Sequence, residues 1–139
     1  MYLLDTNVVS ELRKAKSGKA NKKVKAWANS VSVTSMFLSA ITILELETGI
    51  LLLERRDSTQ GAMLRTWLES HVLPAFAGRI LAVDLAVAQR CARLHVPDPR
   101  AYRDTLITAT ALVHGMTIVT RNVVDFENAG VEVFNPWRT

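Results

Sequence analysis

Residues 1–12, MYLLDTNVVSEL, set an apolar run hard against an aspartate at position 5 and follow it at once with a helix-like pattern. The run YLL reads as a short buried strand, and NVVSELRK as a helix with Asn7 as its cap. A carboxylate there is either a solvated surface acid or a functional group at the mouth of a sheet. The same succession recurs near the other end of the chain. MTIVT (residues 116–120) reads as a strand, and RNVVDF follows it with Asn122 and Asp125.

Between these two stretches, short apolar runs alternate with helical patterns. KKVKAWANS reads as a helix with its lysines outward, and SMFLS as a strand. TILELETGILLLERRD is helical in length and apolar almost all round, which predicts a mostly buried helix. STQGAMLRTWLESHVLP is an amphipathic helix stopped by Pro74, and RILAV is a strand. Asp84 caps the helix LAVAQRCARLH, VPDPR is a turn, and AYRDTLITATALVHG is a helix ended by Gly115. VEVF is the last strand. Strands alternating with helices predict an α/β fold: a central, mainly parallel sheet covered on both faces, in one domain over residues 1–139. In such sheets functional groups gather just beyond the carboxyl ends of the strands, where Asp5 and the RNVVDF segment fall.

Composition bounds the rest. The 139 residues are 49% hydrophobic and 22% charged, which fits a folded chain rather than a disordered one. The single cysteine, Cys91, excludes an internal disulfide and an all-cysteine zinc site, and its helical apolar setting reads as core. No basic segment precedes the first apolar run, and the longest stretch free of Asp, Glu, Lys and Arg (105–120) is too short to span a bilayer. These features give the expectation of a cytoplasmic protein. The net charge of +4 is local: Lys14, Lys16, Lys19, Lys22, Lys23 and Lys25 crowd into KAKSGKANKKVK. That run is either a wet surface or a patch that attracts a polyanion.

Four of the thirteen acids are oddly placed. Glu45 lies roughly 160° to 180° from Glu47 and Glu54 on a helical wheel, so it points to the apolar side while they mark the wet one. Gly49, one turn beyond it, costs helix stability by roughly 1 kcal/mol relative to Ala and reads as room for close approach. Asp104 heads a helix with no further charged residue before Arg121, beside the small Thr108 and Ala111. Asn122 and Asp125 are both candidate oxygen ligands, and the residues alone do not choose between them. Asp5, Glu45, Asp104 and Asp125 gathered in one crevice would repel unless a cation neutralised them. With oxygen ligands only, and His71, His95 and His114 lacking partners at ligand spacing, the ion is Mg²⁺ or Mn²⁺ rather than zinc. An acidic metal site beside a basic patch suits a phosphodiester substrate. On this reading, Ala at Asp5 or Asp104 abolishes cleavage and raises metal-free stability by relieving the crowding.

LLDTNVVSEL, SAITILELETG, YRDTLITATALVHGMTIVTRNVVDF and VEVFNPW, in that order and along essentially the whole chain, resemble the PIN-domain toxins of the VapC/FitB type. The resemblance implies a three-layer α/β/α domain acting as a metal-dependent endoribonuclease. It further implies a homodimer, held inactive by a cognate VapB-like antitoxin in a hetero-oligomer, and an RNA substrate such as tRNA or rRNA. Asp5, Glu45 and Asp104 match the first three family acids, with a first Mg²⁺ on Asp5 and Asp104. The fourth position falls between Asn122 and Asp125, because some members carry an acid where Asn122 stands and others an Asp three residues on. Thr6, Asn7 and Thr120 match the small polar residues around the acids. The apolar stretches AWANSV, GILLL and AMLRTWL offer surfaces for the antitoxin and the dimer. Two other readings compete. A phosphoaspartyl enzyme with Asp5 as nucleophile expects a second Asp where Asn7 stands, and a non-catalytic RNA-binding module has no reason to bear the repulsion.

Overall fold

The computed structural model describes residues 1–138; Thr139 lies outside the described residues. Five parallel strands form one sheet in the order β3-β2-β1-β4-β5. They are β1 (Tyr2–Leu4), β2 (Met36–Ser39), β3 (Ile80–Leu81), β4 (Thr117–Val119) and β5 (Val133–Phe134). Between β1 and β2 run α1 (Thr6–Leu12) and α2 (Lys22–Ser30). Between β2 and β3 run α3 (Ala40–Arg56), α4 (Ser58–Trp67) and the three-residue α5 (Leu73–Ala75). α6 (Leu85–Leu94) and α7 (Tyr102–His114) precede β4.

Alternation along the strands builds the three layers. Leu4, Met36, Leu38 and Val119 face one side, against Val8 and Val9 of α1, Trp27 of α2 and Leu46 and Ile50 of α3. Leu3 and Ile118 face the other, against Ile107 and Ala111 of α7 and Phe126. Because side chains alternate with period two, one strand feeds both cores. Leu3, Leu4 and Ile118 are fully buried, each contributing about 1.5–3 kcal/mol of burial.

The strand order places the site. The chain moves outward from β1 to β2 and β3, then returns to lay β4 on the opposite side of β1. The order therefore reverses between β1 and β4, where a crevice opens beyond the carboxyl ends. Leu4 pairs with Val119 there, so Asp5 and Thr120 leave the sheet side by side.

Several local expectations are revised. Asp5, not Asn7, caps α1, because Asp5 is the extended residue where β1 ends and its carboxylate reaches the Thr6 amide. The helix through residue 74 is not stopped by Pro74. A wider π-type turn over Leu68–Val72 continues α4, and Pro74 sits in the first turn of α5, where its missing N–H costs nothing. The strand expected at RILAV shrinks to Ile80–Leu81. α3 buries only Ile41, Thr42, Leu46 and Ile50, while Leu44, Leu51 and Leu52 stand 52%, 55% and 59% exposed. Asp84 caps α6 through the Val87 amide, and Gly115 ends α7 at φ 65°, as expected.

Candidate active site

Asp5 is 7% exposed and held by three donors. The Thr6 amide donates to Oδ1 at 2.8 Å, and Thr120 Oγ1 and Asn7 Nδ2 donate to Oδ2 at 2.8 and 3.2 Å. Asn7 also donates to Thr120 Oγ1 at 3.2 Å and accepts the Arg121 amide at 3.1 Å. The carboxylate is thus fixed by both strands that flank the switch point. Burial raises its pKa above the usual carboxylate value; the bonds from Thr120 and Thr6 oppose this, and the negative charges of Glu45 and Asp125 add to it.

Glu45 comes from the second turn of α3. Thr6 Oγ1 donates to its Oε1 at 2.7 Å, with Thr42 Oγ1 3.5 Å from the same hydroxyl. Arg103 Nη1 lies 3.8 Å from its other oxygen. Asp104 stands in the first turn of α7, its carboxyl pushed up to about 6 by burial first and then by the charges of Asp125, Asp5 and Glu45, with Arg103 opposing. Asp104 and Asp125 line one crevice of about 150 Å³ with Thr105, Thr108 and Arg100, large enough for several waters. Thr108 Oγ1 donates to the Asp104 carbonyl at 2.8 Å.

All four acids therefore act electrostatically on one region. Asp125, in the short turn Val123–Phe126 anchored by buried Phe126, is the acid beside Asp104. Asn122 instead donates its amide to Thr120 Oγ1 at 3.0 Å and turns toward a neighbouring groove. The six lysines are all exposed, three between α1 and α2 and three on α2. Lys14 pairs with Glu11 at 3.5 Å, and among the described residues none of the six pairs with a site acid. Glu47 and Glu54 are not simply solvated: Arg65 of α4 bridges them at 2.6 and 3.2 Å. Gly49 is exposed with nothing near its missing side chain, and close approach occurs instead at Gly61, where a Cβ would lie 2.6 Å from Glu54 Cγ.

A divalent cation fits the donor set. Every candidate ligand is an oxygen, and the mutual repulsion that raises Asp104 is what a cation relieves. Among the described residues no group of three or more Asp, Glu, His or Cys side chains stands at metal-holding spacing.

Sequence reasoning missed Thr42, Arg103 and the Arg121–Trp137 contact. Thr42 lies three residues before Glu45, on the same helix face, so it was accessible to the wheel. Arg103 adjoins Asp104 in sequence. The partnership of positions 121 and 137 has no local signal.

The PIN domain family profile matches residues 2–131. The chain belongs to the PIN-domain family. Toxin FitB of Neisseria gonorrhoeae is 41% identical, covering 99% of both chains. The VapC ribonuclease Y4jK of Sinorhizobium fredii is 37% identical, covering 99% of this chain and 98% of its own. The crystal structure of FitAcB from Neisseria gonorrhoeae superposes with a TM-score of 0.89 at 40% identity over all of both chains. The five parallel strands flanked by helices are the fold of these PIN toxins, and the sequence-based assignment to the VapC/FitB type holds. As a PIN domain the chain is an enzyme of the nuclease class. No described helix is long and apolar enough to cross a membrane.

Proposed function

We propose that this PIN domain is a Mg²⁺-dependent endoribonuclease toxin, hydrolysing phosphodiesters of structured RNA such as tRNA or rRNA and neutralised by a VapB-like antitoxin. The observation that carries the reading is Asp5: a buried carboxylate pinned by Thr6, Asn7 and Thr120 at the switch point, with Glu45 and Asp125 acting on it and its own charge acting on Asp104. Such crowding is costly to keep without a ligand that needs it.

Asp5 and Asp104 would hold Mg²⁺, with Mn²⁺ an alternative. When bound, the ion neutralises the cluster and supplies Lewis acidity toward a phosphodiester and water. The chain's own contributions are positional. Thr120 and Asn7 fix the direction of Asp5, and Thr6 fixes that of Glu45. Glu45, so oriented, adds a third carboxylate whose charge acts on both Asp5 and Asp104. Asp125 lines both the crevice that holds Asp104 and the neighbouring groove. The lysines from Lys14 to Lys25 supply sequence-independent attraction for the RNA backbone.

Two apolar surfaces support the protein partners. Leu44, Leu51 and Leu52 form an exposed stripe along α3 that passes the line of Glu45, suited to an antitoxin's amphipathic segment. Leu85, Val96 and Tyr102 stand exposed around α6 and α7, suited to a homodimer.

The test is cleavage of total cellular RNA by the purified, antitoxin-free chain, with Mg²⁺, with EDTA, and with Asp5→Asn. Discrete products that need Mg²⁺ and vanish in the variant uphold the reading. No metal-dependent cleavage leaves a binding module.

A further inference from the structure

The four acids are not held alike. The carboxylates of Asp5 and Glu45 accept bonds from Thr6, Asn7 and Thr120. Asp104 and Asp125 line one crevice from different elements, the first turn of α7 and the short turn Val123–Phe126. Neither forms an ion pair among the described residues. The gap between them therefore depends on what ties their two backbones together.

Arg100 makes that tie. It stands four residues before Asp104 and lines the same crevice. Its Nη1 donates to the Glu127 carbonyl at 3.3 Å and its Nη2 to the Asn128 carbonyl at 3.2 Å, just beyond Asp125. A guanidinium presents its donors as a rigid planar fork, so two successive carbonyls fix it in direction as well as distance. Both ends of the tie are rooted. The Arg100 amide donates to His95 Nδ1 at 3.1 Å, and the His95 ring centroid lies 4.5 Å from that of Tyr102 in the first turn of α7. On the other side buried Phe126 anchors the turn, and the chain then bends through Asn128 at φ 61°, a left-handed conformation that Asn tolerates. Phe126 holds this segment at one point, and Arg100 holds it at a second.

The guanidinium is bonded to carbonyls and, among the described residues, is not ion-paired with Asp104 or Asp125. A guanidinium paired with those acids would stand where a cation belongs. Bonded to the main chain, it leaves both carboxylates to the cation.

We infer that Arg100 is a positioning residue for the metal site: its fork holds the turn that carries Asp125 against the head of α7 and so sets the gap between Asp125 and Asp104. The inference rests on the metal-dependent ribonuclease reading and adds to it a residue that acts through the acids rather than on the substrate. The sign of one measurement separates this role from that of a plain charge. A positive charge beside the crevice repels a cation, so removing a charge with no other role would tighten metal binding. Removing a strut loosens it.

The test is Mn²⁺ binding to the full, antitoxin-free chain, read from the electron paramagnetic resonance signal of the unbound ion. Arg100→Met keeps the aliphatic stem and loses the donors, and its Kd for Mn²⁺ should rise about tenfold. Arg100→Gln should weaken binding in the same direction. In an Asp125→Asn background, Arg100→Met should add less than about twofold, because the strut then has no acid to place. Binding of a uridine dodecamer in EDTA should keep its salt dependence in Arg100→Met, whereas a slope reduced by about one would make Arg100 a phosphate contact and overturn the inference. Thermal unfolding checks that each variant is folded, and if Arg100→Met is not, Arg100→Gln carries the test. A lowered melt with Mn²⁺ affinity unchanged would make Arg100 a structural residue only. Tighter binding in Arg100→Met, or a loss that persists in full without Asp125, also overturns the inference. Mn²⁺ binding by the wild type with Arg100 indifferent overturns the strut alone, while a wild type that binds no Mn²⁺ overturns the metal-dependent reading itself.

Discussion

Thr6 Oγ1 donates to Glu45 Oε1 at 2.7 Å, joining the first turn of α1 to the second turn of α3 across 39 positions of sequence. This bond sets the direction of an acid that no strand holds. Thr6→Val keeps the shape and removes the donor, so cleavage should fall by at least tenfold and stability by about 1–3 kcal/mol. Thr6→Ser should restore both. Cleavage rates with urea unfolding check this, and an unchanged rate in Thr6→Val would remove Thr6 from the site.

Asp5 and Asp104 are not equivalent in stability, although both should be needed for cleavage. Asp5 caps α1 and accepts three bonds, so Asp5→Ala gives up the cap, worth about 0.5–2 kcal/mol, against the relief of crowding. Asp104 accepts no side-chain cap and sits only part-buried. The expectation that Ala at either acid raises metal-free stability is therefore kept for Asp104 and withdrawn for Asp5: Asp104→Ala should melt higher than wild type without metal, and Asp5→Ala should not. Thermal melts in EDTA decide it.

The raised carboxyl of Asp104 gives a signed pH dependence. In the folded chain it titrates at about 6 against 3.8 in the unfolded chain, so between those values the folded state binds more protons. Its contribution favours folding below the lower value and is lost as pH rises through about 6. Metal-free wild type should lose melting temperature between pH 4 and 7 relative to Asp104→Asn. Added Mg²⁺ should raise the melt at pH 7 and do little at pH 4.5, because the ion competes with the proton. A wild-type and Asp104→Asn difference that is flat with pH would contradict this.

Lys16, Lys19 and Lys23 are exposed and without ion pairs among the described residues, whereas Lys14 is partly engaged by Glu11. Replacing these three with Gln should weaken RNA binding and reduce the salt slope by about two, at roughly 0.7 per phosphate contact for single strands. An unchanged slope would make the patch a wet surface only.

The two glycines of α3 and α4 should respond in opposite directions. Gly49→Ala meets open space and should stabilise the chain by up to about 1 kcal/mol. Gly61→Ala places a Cβ 2.6 Å from Glu54 Cγ and 2.7 Å from its Cα, so it should cost about 1–3 kcal/mol by forcing the helices apart. Denaturant midpoints for both variants check the pair.

These contrasts show where the residues speak for themselves. The strands were legible because short apolar runs are bounded by polar residues, and Asp5, Glu45 and Asp104 because each acid stands against apolar neighbours. The layered sheet followed from that alternation. The cap of α1 was misplaced at Asn7 because the position of the cap depends on where pairing with β4 ends, at Asp5. An apolar helix does not reveal which side it leaves bare, hence the exposed leucines of α3. Gly61 rather than Gly49 marks the close contact because the neighbour is Glu54, whose approach depends on how α4 folds back. That Asp125 and not Asn122 lines the crevice with Asp104 turns on a short helical turn hung from Phe126, which local pattern does not fix.

The strand order has a consequence for how the protein is made. β1 lies at the centre of the sheet and is synthesised first, but its partner β4 and the residues Asp104, Thr120 and Asp125 are synthesised last. At about 5–20 residues per second, a ribosome exposes Asp5 and Glu45 seconds before the groups that complete the constellation. Until β4 docks, the emerging chain has half a site and no Thr120 to hold Asp5. A chain that stops short of β4 lacks Thr120 and Asp125, the hydroxyl that holds Asp5 and one of the acids that act on it.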